Sequence, residues 1–159
     1  MRNILLDEMR KAFTNAVIRT FQKMIMVECT PVESTQSDAT PVDFIGSIGF
    51  SGYISGHCLL RLSEQTAREA VSRLCGDKVE KIDEIADGVG ELVNMIAGNA
   101  KAALVNLGLS LSMPEVIRGQ DQKTGSHKFN ELFDLHFSSE IGAIEVITAY
   151  SNTSKSPNK

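Results

Sequence analysis

Glu91 and Asn94 are the side chains whose types and spacing offer chemistry in this chain. Three residues apart on a helix, they are neighbours on its surface. An amide supplies both a hydrogen-bond donor and an acceptor, so Asn94 can orient a water molecule. The Glu91 carboxylate can engage a cation on a partner. No Ser, His or Cys lies beside them, so they form no nucleophilic triad. The pair suits in-line attack of water on a phosphoryl group whose metal ion and charge-stabilising lysine come from the partner. Glu-x-x-Asn is also common on plain solvated helices, so the spacing needs its context.

That context is the longest helical pattern of the chain, residues 83–107, with Asp83 expected as N-cap and Gly108 as the stop. At about 100° per residue, Ile85, Val89, Leu92, Val93, Ile96, Ala100, Ala103 and Leu104 gather on one side. Asp87, Glu91, Asn94, Gly98 and Lys101 gather opposite. Gly88, Gly90 and Gly98 are read as features of this outward face, and each costs a helix about 1 kcal/mol relative to alanine. Asn94 is a mediocre mid-helix residue, because its amide competes with the backbone. A face selected only for solvation would more often carry Glu, Lys, Arg or Gln. Gly98 leaves a shallow place where another backbone can approach.

The remaining elements must hold that helix. Residues 4–25 read as an amphipathic helix through Met9, Phe13, Ala16, Val17, Phe21 and Met24. Pro31 ends a short extended stretch, and Glu33 to Thr40 is a polar loop. Residues 43–62 form a β-hairpin turning at Ser51-Gly52. Ser63 caps a following helix that Gly76 stops. A strand through Leu109 to Val116, a polar turn at Gly119 to Ser126, and a second hairpin from Phe129–Phe137 and Ile141–Tyr150 complete the set. The tail from Ser151 is polar and expected to be disordered. This order predicts an α+β fold, an antiparallel sheet packed by helices on one side.

Composition narrows the function classes. The 159 residues suit one domain, and 42% apolar residues can form a core without disulfides or metal. A net charge of −4 argues against nucleic acid and anionic membranes as partners. The N-terminal apolar run is cut by Asp7, Glu8, Arg10 and Lys11, so no signal peptide is expected, and no stretch has the roughly 18 apolar residues of a membrane span. A cytoplasmic location is expected. Cys29, Cys58 and Cys75 are odd in number and widely spaced, so they read as buried reduced thiols. His57, His127 and His136 show no metal-ligand pairing, and no metal site is expected. His57 and Cys58 point to opposite faces of a strand. Arg61 reads as an ordinary solvated charge, and Asn3 as plain surface.

The stretch Asp87-Gly-Val-Gly-Glu91-Leu-Val-Asn94-Met-Ile-Ala-Gly98-Asn-Ala-Lys101 resembles the active-site helix of the CheC/CheX/FliY family of chemotaxis phosphatases. Asp87, Glu91, Asn94 and the downstream Pro114 occupy the places of that family's motif, and the first helix is similar to the opening helix of CheX-type members. The resemblance is specific around 86–119 and looser over 4–150. It implies a single CheX-like phosphatase domain over 1–150, of CheC-like fold, with 151–159 as the disordered tail. It implies hydrolysis of the aspartyl phosphate of a CheY-like response regulator. Glu91 would pair with the receiver's active-site lysine, and Asn94 would position the attacking water. Asp87, Gly98 and Lys101 would bind the partner. Mg²⁺ would sit on the receiver, with no cofactor on this chain, and the chain would homodimerise through its sheet. CheC-type members carry the motif twice. Here the first helix offers only Glu8-x-x-Lys11, which favours the single-copy CheX arrangement. The alternative is a non-catalytic CheC-like binding module for a receiver or flagellar switch protein.

Overall fold

The structure is a computed structural model that describes residues 3–34, 41–119 and 129–153. Among the described residues, three α-helices, α1 (Ile4–Ile25), α2 (Glu64–Cys75) and α3 (Ile82–Ala103), accompany seven strands. The strands are β1 (Thr30–Val32), β2 (Phe44–Ser51), β3 (Ile54–Leu62), β4 (Ser110–Leu111), β5 (Glu115–Arg118), β6 (Glu131–Ser138) and β7 (Ile144–Asn152). They form one antiparallel sheet in the order β1-β6-β7-β3-β2-β4, with β5 also on β2. The expected α+β class and the one-sided helical cover hold, because α3 lies on β2, β3 and β5 while α1 lies on α3 and β6.

Local signals explain most boundaries. Asn3 caps α1 by accepting from the Leu6 amide at 3.0 Å, and its amide group donates to Glu131 Oε1 at 3.3 Å. It is therefore a capping residue rather than plain surface. Ser63 accepts from the Thr66 amide and caps α2, which Gly76 ends at φ 72° as expected. The hairpin pairs Phe44 with Leu62 through to Ser51 with Ser55. Alternation within it sends Phe44, Ile48, Phe50, Cys58, Leu60 and Leu62 into the core under the helices. His57 and Cys58 do face opposite ways: Cys58 is buried in the core, and burial pushes its thiol up to about 12.

Several expectations are corrected. Lys81, extended at ψ 133° and without a side-chain cap, precedes α3, so Asp83 lies in the first turn. The α-helix ends at Ala103 and a 3₁₀ turn, Val105–Leu107, carries the chain to Gly108 at φ 57°. Met24 and Ala103 face solvent rather than the core. The strand expected over 109–116 is broken at Ser112-Met113-Pro114 into β4 and β5, because proline cannot donate to the ladder. Ser112 holds the break: its amide donates to the Gly49 carbonyl at 2.9 Å and its hydroxyl accepts from the Gly49 amide at 2.8 Å. Strand β7 continues through Ser151 and Asn152, so the tail begins later than expected, and 154–159 lie outside the described residues. Of the polar turn expected from Gly119 to Ser126, all but Gly119 lies outside them too, as do His127 and residues 35–40. Cys75 is exposed, unlike Cys29 and Cys58. No helix among the described residues is long and apolar enough to cross a membrane.

Candidate active site

Helix α3 carries the motif, and its fit to the fold begins with residues that have no side chain. A Cβ on Gly46 of β2 would lie 3.1 Å from Val89 Cγ1 and 3.2 Å from Val93 Cβ, so this glycine lets α3 sit close on the sheet. A Cβ on Gly88 would come within 2.9 Å of Val71 Cβ, so α2 and α3 touch through that gap. Gly90 faces Val116 and Pro114, whose Cγ2 and Cβ would be 3.4 and 4.0 Å from a Cβ there. Gly88 and Gly90 are therefore buried packing positions, not outward ones. Asn99 ties the same helix to α1, donating to the buried Thr20 hydroxyl at 2.9 Å. Ile85, Val89, Leu92, Val93, Ile96 and Ala100 are all buried, as the helical pattern required.

Held this way, α3 turns Asp87, Glu91 and Lys101 to solvent, with Asn94 and Gly98 half-buried between them. Neither Glu91 nor Asn94 makes a hydrogen bond or ion pair with another described residue. A carboxylate and an amide one turn apart, both unpartnered within the fold, are free to engage groups brought by another molecule. The N-terminal half of the face is acidic, with Asp83, Glu84, Asp87 and Glu91, and Lys101 is the basic residue of its last turn. That polarity complements the helix dipole and makes the exposed face attractive to a cation.

The rim of this face is apolar. Met113, beside Pro114, is 85% exposed, and Val105 is 75% exposed. A groove of about 490 Å³ runs from Gly98 and Lys101 past Ala102 and Val105 to Leu109 and Leu111. Gly98 itself is open: no atom lies within 4 Å of where its Cβ would be. Gly98→Ala is therefore expected to stabilise the fold by up to about 1 kcal/mol through helix propensity alone. A raised urea midpoint at unchanged slope is the readout.

Comparison with known proteins decides the family. The model for "Chemotaxis phosphatase CheX" matches residues 44–137. The CheY-P phosphatase CheX of Thermotoga maritima is 31% identical over 147 residues, covering 82% of this chain and 95% of that protein. The chain belongs to the CheX family. Membership makes it a protein phosphatase. Solved CheX structures share the fold. Chemotaxis protein CheX from Vibrio vulnificus superposes with a TM-score of 0.78 at 24% identity, over 91% of this chain and 97% of that one. CheX of Borrelia burgdorferi, solved as a CheX-CheY-BeF3-Mg²⁺ complex, superposes at 0.71 and 24% identity, over 89% and 97%.

The sequence brought Asp87, Glu91, Asn94, Gly98 and Lys101 to one face of a CheX helix, and the structure places them there together. It missed what seats the helix. Hydropathy is silent about a buried glycine, and the Asn99–Thr20 bond joins residues 79 positions apart.

Proposed function

We propose that this chain hydrolyses the aspartyl phosphate of a CheY-like receiver, using the exposed face of α3. The observation that carries the reading is that Glu91 and Asn94, on a helix of a CheX-family chain, have no partner among the described residues. Glu91 pairs with the receiver's active-site lysine and so sets register. Asn94, half-buried one turn on, offers its amide to the water that attacks phosphorus in line. Mg²⁺ belongs to the receiver. Asp87, Gly98 and Lys101 form the surrounding contact surface, and the chain acts in the cytoplasm. It homodimerises through its sheet, whose outer face carries the half-buried Ile117 and Ile147 and the exposed Leu132. The family relationship favours catalysis over the reading as a non-catalytic binding module.

Steady-state release of inorganic phosphate from a phosphorylated receiver in Mg²⁺ tests the assignment. Glu91→Gln removes one charge of a pair that docking desolvates. It is expected to cost about 2 kcal/mol, roughly 30-fold in kcat/KM, mostly through KM. Gly98→Ala, although stabilising, is expected to raise KM if the receiver's backbone comes against that position. Unchanged kinetics for Glu91→Gln would remove Glu91 from the interface.

A further inference from the structure

The sheet's outer face, turned away from α3, holds a second cluster of groups with defined geometry. Asp134 and His136 lie two apart on β6 and therefore on the same face. Glu145 of β7 stands directly opposite His136 in the ladder. His136 Nε2 is 2.7 Å from Asp134 Oδ2 and 3.6 Å from Glu145 Oε2. One ligand atom from each residue falls within 4.8 Å of the other two. Arg61, expected to be simply solvated, instead binds Glu145 Oε1 at 3.0 Å.

We propose that Asp134, His136 and Glu145 form a binding site for a divalent transition-metal ion of the zinc type. A single proton on Nε2 serves Asp134 and leaves Glu145 Oε2 beyond hydrogen-bond range, with no donor among the described residues. A metal ion in the proton's place serves both carboxylates at once. The mixed nitrogen and oxygen donors select Zn²⁺ or Co²⁺ over Mg²⁺ and Ca²⁺, which favour oxygen alone. Tetrahedral zinc bonds of about 2.0–2.2 Å put two donor atoms roughly 3.3 Å apart, so the His136–Asp134 pair opens from 2.7 Å while Glu145 closes from 3.6 Å, by side-chain movement on backbones that the ladder hydrogen bonds fix. Arg61 holds Oε1 and so aims Oε2 at the site, as outer-shell groups do for metal-binding carboxylates. The absence of paired histidines in the sequence hid this arrangement, since two of the three donors are carboxylates and one comes from another strand.

The test is calorimetric titration of the chelator-treated full chain with Zn²⁺, with Co²⁺ absorption in the visible as an independent report of coordination. Wild type is expected to bind one equivalent. His136→Gln and the near-isosteric Asp134→Asn are each expected to weaken it roughly tenfold or more. Circular dichroism confirms that both variants fold. No saturable binding by wild type, or one-equivalent binding that survives both substitutions, overturns the proposal and leaves an ion-pair network. Receiver dephosphorylation plays no part in this readout, so the two proposals stand or fall separately.

Discussion

Asn94→Ala is expected to lower the rate of receiver dephosphorylation by about 10²-fold while leaving receiver binding and the urea midpoint nearly unchanged. The side chain makes no bond with another described residue, so its loss leaves no buried group stranded. Alanine is also the better helix former at this mid-helix position. On the proposed role, the cost falls on the attacking water, which loses an amide partner, and misplacing a reactant by about 1 Å can itself cost 10²-fold. The signature is a lowered kcat at constant KM, opposite to the KM effect expected for Glu91→Gln. A variant with wild-type kcat would show that Asn94 does not orient the nucleophile.

Gly56→Ala is expected to produce the largest loss of stability, about 3 kcal/mol or more. Gly56 sits mid-strand in β3, paired with Tyr150 of β7 and Phe50 of β2. A Cβ there would run into the Ala149 carbonyl oxygen and come within 2.8 Å of Tyr150 Cα. Both obstacles are backbone, and they belong to the centre of the sheet, so no side chain can rotate away. Overpacking a core with movable neighbours already costs about 1–3 kcal/mol, and separating two central strands adds lost ladder bonds. Denaturant unfolding measures it. Gly98→Ala, at an open position on α3, should move the midpoint the other way. An identical small shift for both would mean that β3 and β7 do not approach as described.

The contrast between those two glycines also marks where the sequence was readable. The first hairpin, the Ser63 cap and the Gly76 stop rest on interactions among residues close in the chain, and period-two and capping signals report them directly. The face carrying Glu91 and Asn94 was legible because helical period alone fixes which residues oppose a run of Ile, Val and Leu. What glycine does was not legible. Gly88 and Gly90 lie beside core positions but carry no hydropathy, and only Val71 of α2 and Val116 of β5 reveal them as contacts. The split of β4 from β5 depended on how Ser112 meets Gly49, 63 residues earlier. Arg61, Glu145 and His136 come together through cross-strand register, which local composition does not encode.

Hydrolysis at the α3 face is tested most directly by the decay of labelled phosphoryl-receiver in single turnover, with this chain added in increasing amounts. The decay rate is expected to climb with wild-type concentration, to saturate, and to stay near the receiver's own rate when Asn94→Ala is added instead. A wild-type chain that binds the phosphorylated receiver yet leaves its decay rate unchanged, or slows it, would contradict that chemistry.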